Sequence, residues 1–211
     1  VMVAPDQYTA VTRCVTGGPC WRPVEQYQVM TVQDGSPSRI ERLDALGRAS
    51  LSAELQQDGV WTQSVSEYNA KGQLVWRTEP LRSSEQNWVW TSYLYDDILG
   101  RMTRKIVPKQ GEDGRGDMVT TYGYSGRTTA IQVCGSADSG TGGCLNLSRT
   151  TDSLGRYVET RDALNGRTRF WYEANGNVAA IEDANNVVTK ATYNAIGQRT
   201  AVVDPNQGSW G

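Results

Sequence analysis

An all-β fold, laid out as a long, curved antiparallel sheet of repeated hairpins, is predicted by three features of the sequence. Its last third repeats every 21 residues: Gly155, Gly176 and Gly197 keep that step, as do Asp162, Asp183 and Asp204, and Tyr172 and Tyr193. A fixed period in this range marks an architecture in which one supersecondary unit stacks on the next. Between these positions the residues alternate and are rich in Val, Ile, Thr and Ala, as in 177–183 and 198–204, which reads as strand. The composition is the third feature. Only 38% of the 211 residues are hydrophobic, with 22 Gly and a single Phe, a poor recipe for a dense aliphatic core and a suitable one for a broad sheet with wet faces.

One unit reads in order as turn, strand, turn, strand. Asp or Asn after the Tyr bonds nearby backbone and starts a turn, and the Gly supplies the positive φ that the turn needs. A strand of about seven residues follows. Asp162 to Gly166, Asp183 to Asn186 and Asp204-Pro205 then mark a second turn, and another strand leads to the next Tyr. Two units are complete, Tyr172 to Asp183 and Tyr193 to Asp204, and a third starts at Thr151-Asp-Ser-Leu-Gly155-Arg156. Looser copies lie upstream at Leu43-Asp-Ala-Leu-Gly47-Arg48, Tyr68-Asn-Ala-Lys-Gly72-Gln73 and Tyr95-Asp-Asp-Ile-Leu-Gly100-Arg101, with a shortened one at Tyr124-Ser-Gly126-Arg127. There the Gly-to-Gly steps lengthen to 25, 28, 26 and 29 residues. The chain divides accordingly into an N-terminal hairpin region with a Cys loop (1–39), irregular repeats (40–150) and regular 21-residue repeats (151–211).

Composition also excludes. With 21 basic and 23 acidic residues and no basic block, a nucleic-acid footprint is not expected. No apolar run reaches 18 residues, so no transmembrane span is predicted. The start, Val1-Met-Val-Ala-Pro, lacks the charged and apolar regions of a signal peptide, and the sequence reads as a segment of a longer polypeptide. Without histidine there is no Ser-His-Asp or Cys-His site. The carboxylate pairs Asp96/Asp97, Glu112/Asp113 and Glu182/Asp183 are sequence neighbours, which point to opposite faces of a strand, and several sit in turn signals. No catalytic residue, metal ligand or cofactor site is assigned, and the segment is read as non-enzymatic.

Four side-chain groups merit placement. Cys14 and Cys20, and Cys134 and Cys144, flank Gly-rich loops. They are candidates for two disulfides, with four-thiolate zinc and reduced thiols as the alternatives; an oxidising destination fits disulfides best. Trp88 and Trp90 alternate on one expected strand face near Trp61 and Trp76 and are the candidate carbohydrate-binding row, the other reading being cross-strand packing. Arg115-Gly116-Asp117 is a lone adhesion-type tripeptide whose ordinary reading is a polar turn. Arg48, Arg101, Arg127 and Arg156 are expected to form a charge ladder with Asp44, Asp97 and Asp152.

The motif Tyr-Asp-x-x-Gly-Arg, closed about nine residues later by Asp or Pro, resembles the RHS or YD repeat of bacterial secreted proteins. The resemblance covers about Ile40 to Gly208 and rests on Tyr68, Gly72, Tyr95, Gly100, Arg101, Gly155, Arg156, Tyr172, Gly176, Tyr193 and Gly197. It implies a spiralling β-strip that winds into a hollow shell. In polymorphic toxins and toxin complexes such a shell encloses a C-terminal toxic domain, and teneurins use a similar barrel at cell contacts. Its expected partners are the remaining RHS repeats and the toxin domain of the same polypeptide, exported from a bacterium to the cell surface or beyond. A module that binds surface glycans is the alternative.

Overall fold

A computed structural model describes residues 7–13, 27–33, 35–85, 87–108, 116–135 and 143–210. All regular elements among them are β-strands, and their pairings are antiparallel. The chain falls into two compact units: 1–100 with 105–113, and 101–104 with 114–211.

The first unit pairs in chain order through β1 (Gln7–Arg13), β2 (Tyr27–Gln33), β3 (Ser36–Leu43), β4 (Ala49–Leu55), β5 (Trp61–Tyr68) and β6 (Leu74–Thr78), after which come β7 (Leu81–Arg82) and β8 (Trp90–Leu94), the latter paired with β6. Strand β5 is shared, pairing with β6 through Ser66–Tyr68 and with β7 through Thr62 and Gln63. The two-residue β7 occupies part of the long Gly72-to-Gly100 step. The short β9 (Arg104–Val107) spans the boundary between units.

The second unit continues the same plan: β10 (Met118–Ser125), β11 (Thr128–Cys134), β12 (Cys144–Thr151), β13 (Tyr157–Arg161), β14 (Arg167–Tyr172), β15 (Val178–Glu182), β16 (Val188–Tyr193), β17 (Arg199–Asp204) and β18 (Gly208–Trp210). Each strand from β10 on pairs with the next one in sequence.

The repeat has a half-period that its 21-residue spacing hides. Asp152, Asp162, Glu173, Asp183, Asn194 and Asp204 begin turns at steps of 10 or 11 residues. In the first five the opening amide donates to the carbonyl four residues on, and the fourth amide donates back to the opening carbonyl, as in Asp152 with Arg156 and Gly155. The fourth residue holds positive φ. It is Gly on the Tyr side of the strip, and Asn165 (φ 65°) or Asn186 (φ 62°) on the other. Asn tolerates the left-handed region better than other non-glycine residues, so one turn geometry serves both edges.

Burial is sparse. Among the described residues the buried apolar side chains are Leu51, Val65 and Val202. Most strand positions are half-exposed, and Trp76 and Trp171 are each 43% accessible. Main-chain ladders and the contacts below, more than a filled interior, hold the strands in place.

Candidate functional site

The repeat-motif residues converge on one arrangement, a clasp between successive copies. It begins with the turn. The Asp44 carboxylate accepts the amides of Leu46 (2.9 Å) and Arg48 (3.0 Å) through one oxygen and the Arg48 Nε (2.7 Å) through the other. Asp152 does the same for Leu154, Arg156 and the Arg156 Nε. Asn69 and Asn194 keep the two backbone bonds and hold Gln73 and Gln198 by their amides. The expected Arg/Asp ladder is therefore corrected: where they are seen, these pairs close within a single turn and do not run from copy to copy. The reason is reach. An Arg four residues beyond the Asp folds back across a five-residue turn, nearer than any strand two ladders away. A true cross-strand row exists elsewhere, with Glu159, Arg169 and Glu182 directly opposite one another on β13, β14 and β15 and joined at 3.6 Å.

Five of the motif turns, those at Leu43, Tyr68, Thr151, Tyr172 and Tyr193, are followed by a β-bulge. Leu43 pairs with Ala49 while Arg42 pairs with Leu51, leaving Ser50 extra. The same skip leaves Val75, Val158, Ala179 and Thr200. A bulge disrupts the ladder locally, and its backbone groups need other partners. The Tyr of the next copy supplies one. Tyr68 Oη donates to the Ala49 carbonyl (3.1 Å), Tyr95 to Leu74 (2.9 Å), Tyr124 to Met102 (2.6 Å), Tyr172 to Tyr157 (2.7 Å) and Tyr193 to Val178 (3.0 Å). In every case the acceptor lies two residues after the preceding motif Gly. Where Thr151 replaces Tyr, its hydroxyl reaches the Arg127 carbonyl (3.3 Å).

The residue after the Gly completes the clasp. Arg48 lies over the Tyr68 ring (4.5 Å), Arg101 over Tyr124 (4.0 Å) and Arg156 over Tyr172 (4.4 Å), geometry that favours a cation on an aromatic face. Where the position is an amide, Gln73 donates to the Gly100 carbonyl (2.7 Å) and Asn177 to that of Gly197 (3.4 Å). The same side chains crowd the next Gly: a β-carbon on Gly72 would stand 3.4 Å from Arg48 Nη1, and one on Gly100 3.2 Å from Gln73 Nε2. These glycines thus meet two demands, positive φ and close approach by the copy before.

The charges follow the geometry. Burial raises the Asp44 carboxyl, but the Arg48 guanidinium and the amides of Arg48 and Leu46 outweigh it and hold Asp44 below the usual carboxylate range. Asp152 is lowered in the same balance by Arg156 and Leu154. Asp204 is lowered chiefly by the Asn206 amide, against burial, with help from Thr189 and Gln207. Burial raises the Tyr95 phenol, with a further push from Tyr93. A carboxyl with a depressed folded pKa stabilises above its unfolded value, about 3.9, and that contribution is lost as pH falls through the folded value. Stability of the chain is therefore expected to be level in this respect above pH ~5 and to fall below pH ~4, which acid titration followed by circular dichroism checks. Tyr95→Phe, which strips the hydroxyl from a half-buried clasp, is expected to cost about 1 kcal/mol in urea denaturation.

The remaining sequence candidates are dispersed. Trp88 does not share a strand with Trp90: β8 begins at Trp90, opposite Thr78. The pairing runs one residue further, where the Glu79 amide donates to the Val89 carbonyl (3.1 Å), and Trp88 lies beyond it. Both side chains are half-buried. A shallow depression of about 370 Å³ on the first unit, lined by Arg39, Glu41, Ser52, Glu54, Gln63 and Pro80 among others, has no aromatic wall. Cys134 and Cys144 are joined by a disulfide between directly opposed residues of β11 and β12. Cys14 and Cys20 lie outside the described residues, as does Arg115. Among the described residues no group of three His, Cys, Asp or Glu side chains is placed to hold a metal, and no helix is long and apolar enough to cross a membrane.

Comparison with known proteins agrees with the fold. Residues 172–209 match the family model of the RHS Repeat. No curated protein matches the sequence. Among solved structures, the chain is similar to the Tc holotoxin pore of Photorhabdus luminescens, with a TM-score of 0.51 and 15% identity over 85% of this chain and 10% of that one. It is also similar to TcdB2-TccC3 without the hypervariable C-terminal region, with a TM-score of 0.52 and 15% identity over 85% of this chain and 11% of that one. The chain thus spans about a tenth of the length of the solved chains it matches, and what is shared at this identity is the fold. The chain carries an RHS repeat at residues 172–209, set in a strip of antiparallel hairpins that has the fold of these toxin-complex proteins.

Proposed function

We propose that these residues form part of the wall of a hollow RHS-type shell that encloses a C-terminal toxin domain of the same polypeptide, exported from a bacterium, and that their role is structural and non-catalytic. The observation that carries this reading is the clasp itself. Tyr, Gly and the residue after Gly are employed in joining one hairpin to the next, at Tyr68, Tyr95, Tyr124, Tyr172 and Tyr193 alike. A sheet extended in this way grows along one direction, and its open edges call for closure or cover. The toxin-complex proteins with the same fold support a shell as that closure. Glycan binding through Trp88 and Trp90 has less behind it, since the two do not form a row on one strand.

Limited proteolysis of the intact polypeptide tests the reading. The toxin domain is expected to resist protease until the repeats are unfolded by denaturant. A toxin domain cut freely while the repeats remain folded would contradict enclosure.

A further inference from the structure

The β11–β12 hairpin outgrows its neighbour. β12 starts at Cys144, but β13 pairs with it only from Ser148, opposite Arg161, to Thr151. Cys144 to Leu147 therefore project past β13 by about 13 Å at the usual rise of a strand. Among the described residues no strand pairs with them on that side. On the other side they are backed by Ile131 to Cys134 of β11, which β10 backs in turn as far as Val119 opposite Cys134. The Cys134–Cys144 disulfide joins the last pair of this arm.

Register gives the direction of the free backbone groups. The Thr151 amide donates to the Arg127 carbonyl, toward the β11 side. Backbone groups alternate along a strand, so Arg149, Leu147 and Leu145 also face β11, whereas Ser148, Asn146 and Cys144 face the β13 side. The 4.3 Å Cα separation of Cys134 and Cys144 agrees, since close pairs of about 4.5 Å are those not hydrogen-bonded to each other. Ser148 meets Arg161. Cys144 and Asn146 are left presenting two N–H and two C=O groups along an edge that no strand covers among the described residues. Both are exposed, as is Leu145 at 56%.

We propose that this edge is a strand-addition site for an extended segment of a separate polypeptide, bound antiparallel to Cys144–Leu147 in line with β13. Continuity with the β12–β13 ladder sets its direction and register. Main-chain pairing supplies affinity, and alternate side chains supply selectivity. Leu145 and Leu147 stand on one face, Cys144 and Asn146 on the other. The favoured occupant therefore alternates apolar residues, beside the leucines, with small polar ones. A second copy of this chain fits less well. The step is one short strand wide and ends at the Asp162–Gly166 turn, whereas edge-to-edge joining of sheets needs long, flat open strands. The proposal does not depend on the shell reading.

The test is titration of the folded 211-residue chain with a capped heptapeptide that alternates Val with Thr and Lys, followed by amide NMR. Saturable shifts centred on Cys144 and Asn146 are expected. Binding is expected to weaken at least tenfold (about 1.4 kcal/mol) for the same peptide N-methylated at alternate amides. A like loss is expected for Asn146→Pro, which removes one outward N–H and leaves the β11–β12 bonds in place. In the free chain the Cys144 and Asn146 amides are expected to exchange rapidly with solvent. Slow exchange there, shifts centred elsewhere, binding indifferent to N-methylation, or the same shifts produced by raising protein concentration alone would overturn the proposal.

Discussion

Asp44→Ala is expected to destabilise the first unit by about 3 kcal/mol, because one buried side chain serves three donors. The carboxylate takes the amides of Leu46 and Arg48 and the Arg48 guanidinium, and Asp44 is itself only 8% accessible. Hydrogen bonds to a charged group contribute about 1.5–3 kcal/mol each, and removing one partner of a buried pair costs about 3–5 kcal/mol because the other charge is left stranded. Partial exposure of Arg48, whose side chain is 27% accessible, places the estimate at the lower end. Asp44→Asn keeps the two backbone bonds, as Asn69 and Asn194 do natively, and is expected to cost roughly half as much. Urea denaturation of the three proteins orders them. Equal losses for Ala and Asn would place the whole effect in the ion pair and remove the turn from the explanation.

Gly100→Ala is expected to cost about 2–3 kcal/mol, against 1–2 kcal/mol for Gly59→Ala, the left-handed penalty alone. The two glycines share a conformation, with φ of 71° and 80°, and differ in surroundings. A β-carbon on Gly59 meets nothing within 4 Å, whereas one on Gly100 stands 3.2 Å from the Gln73 amide that holds the Gly100 carbonyl. The excess at Gly100 therefore measures the hold of one copy on the next. In a Gln73→Ala background it is expected to vanish, the result that a double-mutant cycle isolates. An excess that persists without Gln73 would mean that the contact between copies is incidental.

Much of this was legible in the sequence because it is local. Asp and Asn as turn openers, Gly at positive φ and the alternating strands each depend on a few neighbouring residues, and the antiparallel hairpin fold follows from repeating them. The second edge of the strip was also within reach: Asp162 and Asp183 fall midway between motif turns, and Asn165 and Asn186 are the residues that most readily stand in for Gly. What Tyr is for was not legible. Its acceptor lies 15 to 22 residues upstream, at Val178 for Tyr193 and at Met102 for Tyr124, and becomes identifiable only once the strands of successive copies are set side by side. Spacing likewise suggested an Arg/Asp ladder, while the geometry of a five-residue turn brings Arg48 back onto its own Asp44. Trp88 illustrates the opposite limit, since strand alternation was sound for Trp90 and failed one step beyond the reach of the β6 ladder.

Electron microscopy of the protein as its host produces it bears most directly on the claim that these hairpins are wall. The clasped strip is expected within the single-layered wall of a closed, hollow particle, with additional density inside. A particle in which both faces of the strip are packed against other protein, leaving no cavity, would contradict it.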